Sequence, residues 1–211
     1  NEPVTEAIIS VPAYFNDSQR CATKLAAEMA GVHVERLINE PSAAALYYQM
    51  TYGKKDGCIM VIDFGGGTLD VSIVECFENI VEIIGIAGDN HLGGNDVDNE
   101  IAMFFCRQNN ISLDNLSDEE KAILYKQAEN AKITLSSNDI ATMVLFAQNK
   151  EYRLILTNQL MAEICDDLLK RIKKIINQAV KNCSRRPVVD DVVLVGGSAQ
   201  LKVLQNYLSD L

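Results

Sequence analysis

The sequence predicts an α/β protein with a mixed sheet and an inserted helical subdomain. Segments of strand-like and helix-like periodicity alternate at the start of the chain, and helices later interrupt a run of strands. Two apolar strands run into glycine-rich turns, at Gly65–Gly67 and at Gly196–Gly197. The 211 residues, 48% hydrophobic and 23% charged, are enough for one large or two small units with a real core.

Four elements are predicted before the strand that leads into the first of these turns. Asn16 or Asp17 can cap a helix that Gly31 ends. Pro41 fits the first turn of the next helix, and the polar, glycine-containing stretch over residues 52–57 suggests a hinge. The predicted elements are strands over residues 7–11 and 34–38 and helices over residues 19–30 and 42–50.

The later elements are a meander, helices, a small hairpin and a closing strand and helix. Ser117 and Glu120 form a capping-box pattern, and Thr157 can cap another helix. The predicted strands cover residues 58–63, 69–75, 80–86, 140–146, 152–155 and 191–195. The predicted helices cover residues 96–109, 118–135 and 159–182, followed by a last helix that Ser198 caps.

Three consecutive glycines, Gly65–Gly67, which we call the glycine bend, join two strand-like segments. Without Cβ atoms, their backbone N–H groups can crowd around an anion. Asp63 and Asp70 flank the bend, and carboxylates beside a phosphate suggest a hydrated divalent cation. No Gly-Lys-Ser/Thr opens a helix here, which excludes a Walker loop, and period-two alternation follows, which excludes a dinucleotide-fold loop. A glycine-rich hairpin turn with incidental acids remains the alternative, although such a turn needs only one or two glycines.

The second glycine-rich segment runs from Val192 to Ser198. A helix start presents unpaired N–H groups and a partial positive charge, and glycines let a ligand approach the backbone. A tight strand-to-helix turn explains this segment equally well. Two such strand ends in one chain can nevertheless hold the two ends of one nucleotide.

Charge and cysteine usage narrow the function classes. The net charge of −10, without a long basic run, argues against nucleic acid as the main partner. The six cysteines form no C-x-x-C pair, so we expect buried, reduced thiols in a cytoplasmic protein rather than zinc or a disulfide framework. No segment is long and apolar enough to predict a membrane span. Because the chain starts without methionine, we expect it to be part of a longer protein.

Five segments, in the same order along the chain, resemble signatures of the seventy-kilodalton heat-shock chaperones, the DnaK-like family. They are Val11–Arg20, Ile38–Ala45, Asp63–Ser72, Gly88–Asp96 and Val193–Ser198. The resemblance covers essentially the whole chain and corresponds to the middle and later part of the family's N-terminal ATPase domain.

The resemblance implies an actin-like (ribonuclease H-like) ATPase fold, present here as a partial domain in which two lobes would close on ATP or ADP and magnesium. Residues 1–52 would be the later part of the first lobe. Residues 53–92 and 166–211 would form the base of the second lobe, and residues 93–165 its upper subdomain. The family's first phosphate loop, its first-lobe lysine, the interdomain linker and the peptide-binding domain lie outside this chain, so we expect it to bind nucleotide weakly and to hydrolyse little.

The resemblance also assigns site residues. Phosphate would be held by Gly65, Gly66, Gly67 and Thr68. The catalytic set would be Glu40, Asp63, Thr68 and Asp70, with the waters of magnesium and the attacking water ordered by Asp63, Asp70 and Glu40. The rest of the nucleotide would contact Glu129, Lys132, Ser136, Gly196, Gly197, Ser198 and Gln200. Without the surrounding motif, Glu40 would be an ordinary first-turn acid favoured by the helix dipole.

The family further implies partners. Pro12 and Arg20 match a pair that relays nucleotide state to the peptide-binding domain. Unfolded client peptides, a J-domain co-chaperone and a nucleotide-exchange factor would be the partners, with neither nucleic acid nor membrane involved.

Two positions depart from the family pattern. Ile133 and Gln200 stand where the family usually has basic residues that sandwich the adenine. Each lost cation–π or stacking contact removes about 0.5–2 kcal/mol. These departures are typical of a divergent, HscC-like member. The alternatives are a sugar kinase or actin-like filament protein of the same superfamily, and a non-catalytic interaction module with weakened nucleotide binding.

Overall fold

The computed structural model describes residues 3–53, 56–78 and 80–211, and it has an α/β architecture. The strands are β1 Glu6–Val11, β2 His33–Asn39, β3 Gly57–Phe64, β4 Leu69–Phe77, β5 Ile80–Asp89, β6 Ile140–Ala147, β7 Lys150–Thr157 and β8 Asp191–Val195. The helices are α1 Asp17–Met29, α2 Glu40–Tyr52, α3 Gly94–Asn109, α4 Asp118–Ser137, α5 Asn158–Ile164, α6 Asp166–Lys181 and α7 Lys202–Ser209. Lys54 and Lys55 of the predicted hinge lie outside the described residues.

The chain divides into two compact units. The first comprises residues Asn1–Ile62, Asp70–Ala87 and Ile176–Val193, and the second comprises Asp63–Leu69, Gly88–Ile175 and Leu194–Leu211. The predicted division into residues 1–52, 53–92 with 166–211, and 93–165 rests on the family resemblance and stays a prediction.

The first unit is organised around β-structure. β1 and β2 pair in parallel, with an irregularity in register between Ala7 and Ile8. A four-stranded sheet has the order β5-β4-β3-β8, so that β8, late in the chain, pairs with the early strand β3. β3 and β4 are buried along most of their length, with Ile62 and Ile73 fully buried. Nearly continuous apolar strands of this kind occur where both faces of a sheet are covered.

The second unit packs helices on a hairpin. β6 and β7 are antiparallel, and Ala141 pairs with Leu156 in their register. The buried residues of β6 alternate with exposed ones, as expected for a hairpin covered on one face. α4 packs on β6, and α3 packs on α4 and β7. The largest fully buried side chains of this unit are Phe64, Leu69, Leu92, Ile101, Phe105, Leu124, Leu135, Met143, Leu145 and Leu156.

The predicted caps are confirmed. Ser117 Oγ accepts from the Glu120 N–H at 3.2 Å, and Glu120 Oε2 accepts from the Ser117 N–H at 2.8 Å. Asn16, rather than Asp17, caps α1, and Thr157 Oγ1 accepts from the Leu160 N–H at 3.2 Å. These signals are local in sequence, which is why they could be recognised without the fold.

The single helix predicted over residues 159–182 is wrong, because the chain forms α5 and α6 with a break at Cys165. Cys165 has φ −92° and ψ 2°, away from helical values, and is buried. Asp166 and Asp167 follow at once in the first turn of α6, where carboxylates favour a new helix start. The apolar periodicity continues across the break and concealed it.

The predicted role of Ser198 as the cap of the last helix is also wrong. Residues Ser198–Gln200 form a single 3-10 turn, and α7 begins only after Leu201. The side chain of Ser198 is buried, and its Oγ lies against the position that a Cβ at Gly94 would occupy. Ser198 therefore packs against the start of α3.

Candidate functional site

The glycine bend joins β3 to β4, and its own residues belong to the second unit. The Gly65 N–H donates to the Thr68 carbonyl at 3.0 Å, which closes the turn. Phe64 and Leu69, at its two ends, are 1% and 0% exposed, whereas Gly66 and Gly67 are exposed. Burial at both ends holds the bend in place while its middle stays accessible.

The bend is bound to the first turn of α3. The Gly94 N–H donates to the Gly65 carbonyl at 2.9 Å, and the Asn95 N–H donates to the Gly66 carbonyl at 2.7 Å. These N–H groups have no partner within the helix, so the bend satisfies them. Asp96 Oδ2 accepts from the Gly93 N–H at 2.7 Å and completes the helix start.

Three other glycines are required by the protein's own packing. A Cβ at Gly93 would lie 2.5 Å from the backbone of Gly66 and Gly67. A Cβ at Gly94 would lie 3.0 Å from Lys132 Nζ and closer still to Ser198. A Cβ at Gly196 would lie 2.5 Å from the Phe64 carbonyl oxygen, and φ there is +90°. Gly196, predicted to contact the nucleotide, thus has to be glycine for structural reasons alone.

The glycine bend and Gly197 have no such reason. A Cβ at Gly67 or Gly197 would meet nothing within 4 Å, and one at Gly65 or Gly66 would make only ordinary contacts of 3.8 Å. None of the four has the positive φ that favours glycine. Among the described residues, none therefore crowds the place of a Cβ at these four glycines, as expected where a ligand approaches main-chain atoms.

A cavity of about 260 Å³ adjoins these glycines. Its lining residues are Gly66, Asn95, Glu129, Lys132, Ile133, Ser136, Gly197, Ser198 and Leu201. The structure therefore brings together one member of the glycine bend, two members of the second glycine segment and the three predicted residues of α4. Gln200 lies beside this set in the 3-10 turn and is exposed, and it is not among the lining residues.

The two charged residues on this face of α4 have partners. Lys132 Nζ donates to Asp98 Oδ2 at 2.7 Å and to the Gly94 carbonyl at 2.9 Å, and its side chain is 11% exposed. Glu129 accepts from Lys126 Nζ at 2.6 Å, and that hydrogen bond lowers the pKa of the Glu129 carboxyl. Burial raises the pKa of Asp98 and outweighs the opposing hydrogen bond from Lys132.

Asp63 is the predicted metal-site carboxylate that belongs to the same unit as the glycine bend. Burial raises the pKa of this half-buried group, and its Oδ1 would lie 2.8 Å from a Cβ at Gly196. Glu40, the first residue of α2, and Asp70, in β4, belong to the first unit, and their assignment stays a prediction. Among residues 3–53, 56–78 and 80–211, no group of three or more His, Cys, Asp and Glu side chains could hold an ion directly.

Pro12 and Arg20 lie in one turn of the first unit. The Pro12 carbonyl accepts from the Phe15 N–H at 3.1 Å, and Arg20 Nε donates to the Phe15 carbonyl at 3.0 Å. Arg20 Nη2 also donates to Asn39 Oδ1 at 2.7 Å, directly before Glu40. A contiguous set of hydrogen bonds therefore leads from this turn to the start of α2.

Sequence reasoning missed Asp98 and the paired role of Gly93 and Gly94. Asp98 follows the helical spacing of the buried residues Ile101 and Phe105, so it is a carboxylate on the buried face of α3. A buried charge needs a partner, and that rule could have flagged Asp98. Its partner, however, comes from a helix 34 residues later, which no local pattern reveals.

Comparison with known proteins identifies the family. The family model described as "Hsp70 protein" matches residues 1–211. The chain belongs to the Hsp70 family. Membership of the Hsp70 family supports the actin-like ATPase fold and disfavours the sugar-kinase and filament alternatives.

Individual Hsp70 relatives match nearly the whole length of the chain. The chain is 40% identical to chaperone protein dnaK of Cyanophora paradoxa over 98% of its length and 35% of the relative. It is 37% identical to chaperone protein DnaK of Thermosipho melanesiensis over 99% of its length and 37% of the relative. It is 39% identical to heat shock 70 kDa protein 7, chloroplastic, of Arabidopsis thaliana over 100% of its length and 31% of the relative. The chain thus spans about a third of the length of these relatives.

Proposed function

We propose that this chain is part of the nucleotide-binding domain of an ATP-hydrolysing protein-folding chaperone. The observation that carries the proposal is the contrast between glycines. Gly93, Gly94 and Gly196 are close-packed, whereas the glycine bend and Gly197 face open space beside a cavity. A phosphate chain is a ligand that needs backbone N–H groups free of Cβ atoms.

In this proposal the bend receives the β- and γ-phosphates, and the cavity beside α4 receives the sugar and base. Gly65–Gly67 and Thr68 would contact phosphate. Glu129, Lys132 and Ser136 would contact ribose and adenine from α4, and Gly196–Ser198 would lie along the α-phosphate and ribose. Ile133, 58% exposed at the cavity, would offer the base an apolar contact in place of a cation.

Magnesium would supply charge neutralisation when bound, through waters ordered by Asp63, Asp70 and Glu40. Asp63 fits this role because a buried carboxylate with a raised pKa gains from a nearby cation. Phosphoryl transfer to water needs little covalent work from the protein, so holding the phosphates and orienting water are the main tasks of these residues.

The whole protein would couple nucleotide state to the binding of unfolded client peptides, with a J-domain co-chaperone and a nucleotide-exchange factor as partners. The Pro12 carbonyl accepts from Phe15, and Arg20 donates both to Phe15 and to Asn39, and these hydrogen bonds support a relay toward Glu40. The buried cysteines suit a reducing compartment such as the cytoplasm. None of the described helices has the length and apolar character to cross a membrane.

The test is titration of the chain with Mg-ADP, followed by NMR so that millimolar binding is detected. Wild type should bind and Gly66→Val should not, because the valine side chain would occupy the phosphate position. A Cβ at residue 66 meets only Asn95 Oδ1, at 3.8 Å, so the variant should fold. Thr142→Val, on the exposed face of β6, is the surface control. Equal affinity of Gly66→Val and wild type would contradict the site, and absence of binding by wild type would contradict the function.

A further inference from the structure

One buried ion pair stands at the wall of the candidate site. Lys132 Nζ and Asp98 Oδ2 are 2.7 Å apart, and both side chains are 11% exposed. Isolated buried ion pairs contribute little to stability, because desolvation offsets their attraction, and apolar replacements are often as stable. A pair of this kind beside a ligand cavity therefore invites a functional explanation.

The pair is bonded to the same helix turn as the glycine bend. Lys132 Nζ donates to the Gly94 carbonyl at 2.9 Å, while the Gly94 N–H donates to the Gly65 carbonyl at 2.9 Å. Gly94, the first residue of α3, is thus held by Lys132 at its carbonyl oxygen and by the glycine bend at its N–H. A Cβ at Gly94 would lie 3.0 Å from Lys132 Nζ, so the ammonium packs closely against the start of α3.

The ammonium has donor capacity left for a ligand. A lysine ammonium carries three N–H donors, and the hydrogen bonds to Asp98 and Gly94 use two of them. Lys132 also lines the cavity, so the third donor can serve an acceptor oxygen there. Asp98 does not line that cavity itself, and its hydrogen bond to Lys132 connects it to a residue that does.

We propose that Asp98 is a positioning residue for nucleotide binding, which holds the Lys132 ammonium in place so that its remaining N–H meets a ligand oxygen. This inference rests on the proposed function. It differs from a packing role because it makes nucleotide affinity depend on the charge of the Asp98 carboxylate.

Few other charged groups act on the pair. Asp98 of α3 faces Lys132 of α4, and Glu129 and Lys126 of the same helix α4 also act on Asp98 electrostatically. Lys126 and Glu129 are bonded to each other at 2.6 Å, and Ser198 contributes only a hydroxyl. In Asp98→Asn the ammonium loses the carboxylate with which it shares its buried position, while a side chain of similar size stays in its place.

The experiment measures the Mg-ADP affinity and the melting temperature of wild type, Asp98→Asn, Glu100→Gln, Lys132→Met and the double variant Asp98→Asn/Lys132→Met at pH 7, with affinity followed by NMR titration. Glu100→Gln is the matched control, since it removes a carboxylate from the same helix outside the pair. We expect Asp98→Asn to bind at least about fivefold more weakly than wild type and Glu100→Gln to bind as wild type does. Because Asp98 acts through Lys132, adding Asp98→Asn to Lys132→Met should cause no further loss of affinity.

Two results would overturn the inference while leaving the proposed function intact. One is unchanged affinity of Asp98→Asn. The other is a loss of affinity that is the same in wild type and in Lys132→Met and follows the fall in melting temperature, as a purely structural role would give. If wild type itself binds no Mg-ADP, the proposed function fails and the inference fails with it.

Discussion

Glycine identity at the candidate site has two separate physical origins. Gly93 and Gly94 are glycines because backbone and side-chain atoms of the chain already occupy the place of a Cβ. Gly67 and Gly197 lack both that crowding and a positive φ. Residues of the first kind maintain the fold, and residues of the second kind leave room for a ligand. Adding one methyl group, by substitution of alanine for glycine, distinguishes the two kinds of glycine.

Gly67→Ala and Gly93→Ala form the matched pair for this distinction. Gly93→Ala should lower the free energy of unfolding by about 1–3 kcal/mol, because its Cβ would lie 2.5 Å from the bend backbone. Gly67→Ala should leave the unfolding free energy nearly unchanged but weaken Mg-ADP binding. Urea denaturation and NMR titration measure the two effects. Equal destabilisation by both variants would contradict the distinction.

Asp63 should show opposite effects on stability and on binding. Burial raises the pKa of its carboxyl, so the folded state holds the proton more tightly than the unfolded state does. The stability that this carboxyl contributes is therefore present in acid and is lost as pH rises above 3.8, the ordinary pKa of the group. Asp63→Asn should be more stable than wild type at pH 7, with no gain in acid, and should bind Mg-ADP more weakly. Loss of stability at pH 7 would contradict the prediction.

Among the elements, α3 and α4 position the site. The first turn of α3 receives the glycine bend, and α4 supplies Glu129, Lys132 and Ser136 to the cavity. α4 starts at a complete capping box and packs on β6 along its buried face. The capping box fixes where α4 begins, while the packing on β6 holds the part of the helix that carries Lys132.

Ser117→Ala tests the start of α4. Removing the hydroxyl that accepts from the Glu120 N–H should cost about 0.5–2 kcal/mol of unfolding free energy. Lys132 is four turns away in the helix, so Mg-ADP affinity should change little. Ser112→Ala is a fair control, because Ser112 makes no side-chain cap hydrogen bond. Equal melting temperatures of Ser117→Ala and wild type would show that the cap contributes nothing.

At the level of the complete chain, some predicted site residues belong to the first unit and others to the second. The glycine bend, the cavity and the Asp98–Lys132 pair belong to the second unit. Glu40, Asp70, Pro12 and Arg20 belong to the first. The chain spans about a third of the length of the relatives that it matches.

The isolated 211-residue chain should therefore bind Mg-ADP weakly and turn over little or no ATP. Phosphate release by this chain, measured with and without magnesium, tests this prediction. Robust turnover by the 211-residue chain would show that the described residues suffice for catalysis.

Much of the fold and part of the site could be recognised from the amino-acid order. The α/β class, the caps at Asn16, Ser117 and Thr157, and the glycine bend are encoded over a few neighbouring residues. Helix capping and glycine conformation depend on nearest neighbours, so a linear pattern is enough to find them.

Other features depend on residues that are distant in the chain. Asp98 meets Lys132, Gly94 meets Ser198, and the bend meets α3 only once the helices have packed. The break at Cys165 likewise interrupts a periodicity that is unbroken in the sequence. Buried ion pairs and close backbone contacts form only when distant segments pack together. A local sequence pattern therefore cannot indicate which residue will be the partner.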